Sequence, residues 1–151
     1  MSSLPRILVD FAGACDGRFG AGSAGYNDDG AFVAVEGRTV HVNLDQNANR
    51  VVLWTEIERP QNSPIGSFEH AAVGYTAREF LARGLAIGVN RKADLILLGR
   101  SIEQDALAGD DALDLVEEIA REAEAVGAML QKAARPVGAA APAGDAVIFR
   151  S

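Results

Sequence analysis

The sequence contains few of the side chains from which disulfides, metal sites and nucleophilic sites are built. Among its 151 residues are one cysteine, Cys15, and two histidines, His41 and His70. A lone cysteine excludes an internal disulfide and is typical of a protein kept in a reducing compartment. These three side chains show none of the short spacings typical of structural zinc sites. We therefore expect no metal site and no catalytic residue.

The sequence also lacks long apolar runs. No segment approaches the roughly 18 consecutive apolar residues of a membrane-spanning helix. Asp10 interrupts the apolar stretch near the N-terminus, which is unlike the core of a secretory signal. The glycine-rich stretch 17–30 has no Lys-Ser/Thr pair, so it does not predict a phosphate-binding loop. We expect a cytoplasmic protein that needs no cofactor.

Acidic side chains are abundant, and they are concentrated in one place. The chain has 21 acidic and 14 basic residues, a formal charge of −7. Nine of the acids lie between Glu103 and Glu124, where Arg121 is the single base. Because nucleic acids and anionic membrane surfaces repel such a chain, the charge argues against both as partners.

The length and the hydrophobic pattern predict one domain over residues 1–133 and an Ala/Pro/Gly-rich tail over residues 134–151. Periods of 3.6 and 2 distinguish helices from strands. The predicted order is a helix over 3–16, a loop over 17–30, strands over 31–36, 39–44 and 51–58, a connector over 59–67, a helix over 68–83, strands over 85–89 and 93–102, and a helix over 110–133. This order predicts an α+β domain that contains a three-stranded antiparallel meander.

Three stretches, together with this element order, are similar to one known family. The first is the turn Asn27-Asp28-Asp29-Gly30, which precedes the first predicted strand. The second is the passage over residues 82–89 from the second helix into the next strand, and the third is residues 95–102, followed by an acidic helix. Over residues 4–132 the chain resembles the class I type III secretion chaperones of the Tir-chaperone (CesT-like) family.

The resemblance implies a non-enzymatic homodimer in the bacterial cytoplasm. Such a dimer binds the N-terminal segment of a secreted effector in extended form, without ATP, and keeps it secretion-competent for virulence. The implied partners are the effector, a second copy of the chain and the export ATPase. The residues expected to take part are Ile7, Leu8, Phe11, Val52 and Trp54 in effector binding, and Val73, Tyr75, Phe80, Leu81, Leu85 and Ile87 in the dimer interface. The acidic last helix is either a solvated face or a docking face for a basic patch, for which the expected residues are Glu117, Glu118 and Glu122.

Several alternatives remain open from the sequence. Trp54 shares a strand face with Val52 and Glu56, so it is either a partly exposed anchor or a residue packed beneath the first helix. The chain could also be a small α+β binding or regulatory module that recognises a folded partner. If the chain were an enzyme, the candidate catalytic pair would be His41 and Glu56. The sequence shows no nucleophile, metal site or cofactor site to act with this pair.

Overall fold

The computed structural model describes residues 6–28, 30–45, 48–59 and 64–133. The predicted tail and the predicted helix start at residue 3 lie outside these ranges. Two short 3-10 helices, Ile65–Phe68 and Gln104–Ala108, precede the second and third α-helices. The main elements are α1 (Arg6–Phe19), β1 (Ala24–Tyr26), β2 (Gly30–Val35), β3 (Arg38–Asp45), β4 (Arg50–Ile57), α2 (Glu69–Arg83), β5 (Ala86–Asn90), β6 (Leu95–Glu103) and α3 (Asp110–Ala133).

The strands form one antiparallel sheet in the order β1-β2-β3-β4-β6-β5. The α+β class is confirmed, but the predicted loop over residues 17–30 is wrong in part. It contains β1, which extends the meander to four strands. With three residues between glycine-rich turns, β1 is too short to show a period of two.

Side chains on one face of the sheet form the core, together with α1 and α3. Val33 on β2, Val40 on β3 and Leu53 on β4 are fully buried, as is Leu8 on α1. Since neighbouring strand residues alternate between faces, the residues between these positions point away from the helices. We call the two sides the covered face and the open face.

The helix α2 lies beside the edge strand β5 and is joined to α3. It ends as its sequence predicts, because Gly84 adopts a left-handed φ of 73° and donates its N–H to the carbonyl of Phe80 at 2.8 Å. Tyr75 donates its hydroxyl to Glu122 at 2.9 Å, and Arg83 pairs with the same carboxylate. These bonds fix α2 against α3.

A helix side chain covers part of each edge of the sheet. Asp16 on α1 accepts the N–H of Ala24 on β1 at 2.9 Å. Thr76 on α2 accepts the N–H of Ile87 on β5 through its hydroxyl, also at 2.9 Å. Such contacts reduce the number of edge groups that are open to pairing with another chain. None of the helices in the described ranges has the length and apolar character needed to cross a membrane.

Candidate functional site

Three aromatic rings stand in one row on the open face. The register pairs Phe32 on β2 with His41 on β3, and His41 with Trp54 on β4. The His41 and Trp54 rings are stacked, with centroids 4.3 Å apart and planes inclined by 21°. Trp54 donates its indole N–H to the side-chain oxygen of Asn43 at 2.6 Å, which holds the indole over β3. We call Phe32, His41 and Trp54 the aromatic strip.

Glycines make room for the two ends of the strip. A Cβ at Gly25 would lie 2.7 Å from the ring of Phe32, so that ring extends over β1. A Cβ at Gly99 would lie 2.9 Å from the Cβ of Trp54 and 2.8 Å from the carbonyl oxygen of Leu53. Both glycines are therefore needed for close approach: Gly25 lets the Phe32 ring lie over β1, and Gly99 lets β6 approach the backbone and Cβ of Trp54.

The strip decides between the two interpretations of Trp54. Its side chain points away from α1 and α3, so packing beneath the first helix is excluded. Trp54 and Val52 are half-buried on the open face, and Phe32 is 39 % exposed. Phe32 is not among the residues predicted for effector binding. The signal that could have found it is an aromatic residue at the position where alternation with Ala31 and Val33 leaves a side chain outside the core.

The predicted residues of α1 divide between groove and core. Ile7 and Phe11 line a groove that α1 forms with the segment from Leu107 into the start of α3. Leu8 is fully buried beneath them. The structure therefore brings Ile7 to a surface, whereas Leu8 and Phe11, which is 3 % exposed, lie in the core, Phe11 at the floor of the groove.

The predicted dimer residues divide in the same way. Val73, Phe80 and Leu81 form a stripe on the outer side of α2, with exposures of 68 %, 57 % and 89 %. Tyr75, Leu85 and Ile87 are buried within the chain, Leu85 completely. An apolar groove between α2 and β5, lined in part by Val73 and Ile87, joins the two sets.

The acidic helix is engaged by arginines of other elements. Glu117 pairs with Arg18 of α1, which also contacts Asp114 at 2.6 Å. Glu118 lies 3.5 Å from Arg83, which also pairs with Glu122. The three predicted docking carboxylates therefore already take part in ion pairs within the chain. These contacts raise the pKa of both Arg18 and Arg83, mainly through hydrogen bonds to Asp114 and Glu122 respectively.

The side chains that could do chemistry occupy unreactive surroundings. Burial, assisted by the charge of Asp16, raises the pKa of the Cys15 thiol to about 12, which removes its thiolate at neutral pH. His41 is stacked on Trp54, and burial lowers its pKa against the opposing effect of Glu56. Within the described ranges no three His, Cys, Asp or Glu side chains are grouped to hold a metal ion.

In the glycine-rich segment, Gly20, Gly22 and Gly25 have the G-x-G-x-x-G spacing of dinucleotide-binding segments. A dinucleotide-binding segment of this type connects a strand to the start of a helix. Here the segment runs in the opposite sense, from the end of α1 into β1. The spacing therefore does not indicate a dinucleotide site.

Comparisons with solved structures show a shared fold. A chain of the HopA1–SchA chaperone–effector complex is similar over 81 % of this chain and 91 % of its own length, with a TM-score of 0.61 and 15 % identity. A chain of the ExsC–ExsE complex is similar over 86 % of this chain and 97 % of its own length, with a TM-score of 0.65 and 17 % identity. No protein-family model and no protein of curated function matches the chain.

Proposed function

We propose that the protein is a type III secretion chaperone of the bacterial cytoplasm that acts as a homodimer. The observation that carries this proposal is a fold similar to that of chains from two solved complexes, one described as chaperone and effector, with apolar side chains left outside the core. A protein that binds an extended segment needs such surfaces and accessible sheet edges rather than a reactive group.

The open face and the groove beside α1 are the proposed effector-binding surfaces. Val52 and Trp54 belong to the first, and Ile7 belongs to the second, with the buried Phe11 beneath it. Because an extended chain spans more than 3 Å per residue, a segment of tens of residues could contact both surfaces of one protomer and continue onto its partner. Two linked contacts strengthen each other through effective concentration.

The outer stripe of α2 is the proposed dimer interface. Val73, Phe80 and Leu81 recur at helical spacing, and the face that they form is apolar and uncovered in the single chain. A symmetric interface would bring the two copies of this face together and remove them from water. Leu85, Ile87 and Tyr75 would then support the interface from below, since they hold α2 and β5 in place.

Light scattering after gel filtration tests the dimer. The wild-type chain should have about twice its mass of 15.8 kDa. Leu81→Glu should give a folded monomer, because Leu81 is 89 % exposed and contributes little to the core. Val9→Glu on α1 is the matched control, since Val9 is also an exposed apolar residue, at 37 %. A wild-type monomer at micromolar concentration, or dimerisation retained in Leu81→Glu, would contradict this interface.

Limited proteolysis tests effector binding. A protein co-purified with the chaperone from the native bacterium should contain an N-terminal stretch of tens of residues that is protease-resistant only in the complex. Trp54→Ala should reduce co-purification, and Val9→Ala should not. A partner with a folded contact surface and no newly protected stretch would instead support the module that recognises folded proteins.

We also propose that the acidic face of α3 docks a basic partner, but its carboxylates are already paired within the chain. A basic surface such as one on the export ATPase would have to compete with Arg18 and Arg83 for Glu117, Glu118 and Glu122. Charge reversal at these positions would therefore also break contacts to α1 and α2. A docking test must accordingly be accompanied by a stability measurement of the same variant.

A further inference from the structure

The aromatic strip of the open face lies next to an acidic hollow. The hollow lies at the end of the sheet where β2 turns into β3, and His41 of the aromatic strip lines it. Four carboxylates line the hollow as well, and Arg38 contributes one guanidinium. Glu36 lies in the turn between β2 and β3, and Glu56 and Glu58 lie on β4 and directly after it. Glu124 comes from α3 on the covered side of the sheet. All four glutamates are exposed. The ion pairs found within the described ranges involve other residues.

The two parts of this surface are contiguous along β4. Trp54 and Glu56 are two residues apart and therefore share the open face. The charge of Glu56 also acts on His41, whose ring is stacked on Trp54. A side chain that lies on the indole can thus reach a carboxylate without leaving the sheet surface.

We propose that the aromatic strip and the acidic hollow together bind an arginine side chain of the partner's extended segment. Arginine fits both parts, because its stem is apolar and its planar guanidinium stacks on aromatic faces and pairs with carboxylates. Trp54 offers the most favourable ring for a cation, and Glu56 is the nearest carboxylate along the strand. This inference deepens the proposed effector-binding role and rests on it.

The rest of the surface is consistent with a cationic ligand. Burial keeps the pKa of His41 below its ordinary value, so at neutral pH the imidazole adds no positive charge beside the incoming guanidinium. Arg50, the cation on the open face of the same strand, lies at the opposite end of β4, where it donates to the hydroxyl of Ser101 at 2.8 Å. The acidic end is therefore the one available to an arginine.

Trp54 makes the proposal measurable, because it is the single tryptophan of the sequence. The probes are two synthetic extended peptides that are identical except for a central arginine or its neutral isostere citrulline. Titration of the wild-type protein should change Trp54 fluorescence saturably with both. The arginine peptide should bind about fivefold more tightly, a difference of about 1 kcal/mol, because citrulline lacks the charge that the cation–π contact and the ion pair both require.

Two variants separate the carboxylate of the hollow from general acidity. Glu56→Gln should reduce the preference for the arginine peptide to about twofold, because it removes the nearest carboxylate and leaves the cation–π contact with Trp54. Glu103→Gln is the matched control, because Glu103 is an exposed carboxylate on the same face but lies at the other end of the sheet, opposite Arg50 in the register of β4 and β6. It should keep the preference for arginine. Added salt should weaken binding of the arginine peptide to wild type more than binding of the citrulline peptide.

Equal affinity of wild type for the two peptides would overturn the proposal and indicate an apolar partner instead. Absence of any fluorescence change would overturn it as well and indicate that a second copy covers the face. These results are distinguishable from failure of the chaperone proposal. The peptide titration requires no effector, while the proteolysis test requires a protected segment and is indifferent to arginine.

Discussion

The two faces of the same sheet differ in what their side chains are required to do. On the covered face, Val33, Val40 and Leu53 are fully buried against helices. On the open face, the neighbours Phe32, His41 and Trp54 remain partly accessible and are held by stacking, a hydrogen bond and close glycines. The first face is organised for stability, and the second keeps aromatic surface in contact with water.

The difference teaches how a small domain can present apolar surface without losing its fold. The core requires only one side of the strands, because α1 and α3 cover that side. The Trp54 ring is held by its stacking on His41 and its hydrogen bond to Asn43, not by a surrounding core. It can therefore stay partly exposed without leaving a cavity in the core. The division predicts that substitutions on the two faces have separable effects on stability and binding.

The largest expected effect comes from neighbouring residues on opposite faces of β4. Leu53→Ala should lower the free energy of unfolding by about 2–5 kcal/mol, because Leu53 is completely buried and leaves a cavity. Val52→Ala, on the open face, should cost less than about 1 kcal/mol. Urea unfolding of both variants measures the difference. Similar losses for the two would mean that the open face is also covered, for example by a second chain.

An intermediate effect is expected where the open face is crowded. Gly99→Ala should cost about 1–3 kcal/mol, because the new methyl group meets the backbone of Leu53 and the Cβ of Trp54. Gly88→Ala is the matched control on β5. There the nearest atoms belong to the flexible side chain of Leu97, at 3.3 Å, and the change in stability should stay within about 1 kcal/mol. Thermal unfolding of the two proteins tests this ranking, which equal midpoints would refute.

The sequence was sufficient to predict what depends on local patterns. Alternation along β4 separated Val52 and Trp54 from Val51 and Leu53, and Gly84 ended α2 at the predicted place. The three-residue strand β1 was missed because so short a segment carries no period. The position of β6 between β4 and β5 could not be predicted either, since it depends on long-range pairing.

At the candidate site, too, sequence patterns did not reveal contacts between distant parts of the chain. The stripe of Val73, Phe80 and Leu81 was predictable as one face of α2, but periodicity cannot say whether the protein's own core covers such a face. The structure leaves it exposed. The partners of Glu122 were likewise beyond sequence reasoning, because Tyr75 and Arg83 lie 47 and 39 residues away.

The smallest expected effect concerns protonation of the aromatic strip. Burial lowers the pKa of His41 and the charge of Glu56 partly opposes this, so the folded protein should lose the proton of His41 below the ordinary histidine value of about 6.5. Since an imidazolium stacked on an indole alters its emission, Trp54 fluorescence should titrate with a midpoint below that value. Glu56→Gln removes the opposing charge and should move the midpoint lower still.

The same protonation has a consequence for stability with a definite sign. Between the folded pKa of His41 and about 6.5, the unfolded chain binds more protons at this residue than the folded chain. The contribution of His41 is therefore fully present above pH 6.5 and is lost as the pH falls through the folded pKa. His41→Gln should unfold with a shallower loss of stability over this window than wild type. An equal or steeper loss would show that the His41 ring is not desolvated on the open face, and that the strip is more accessible to water than the stacked geometry implies.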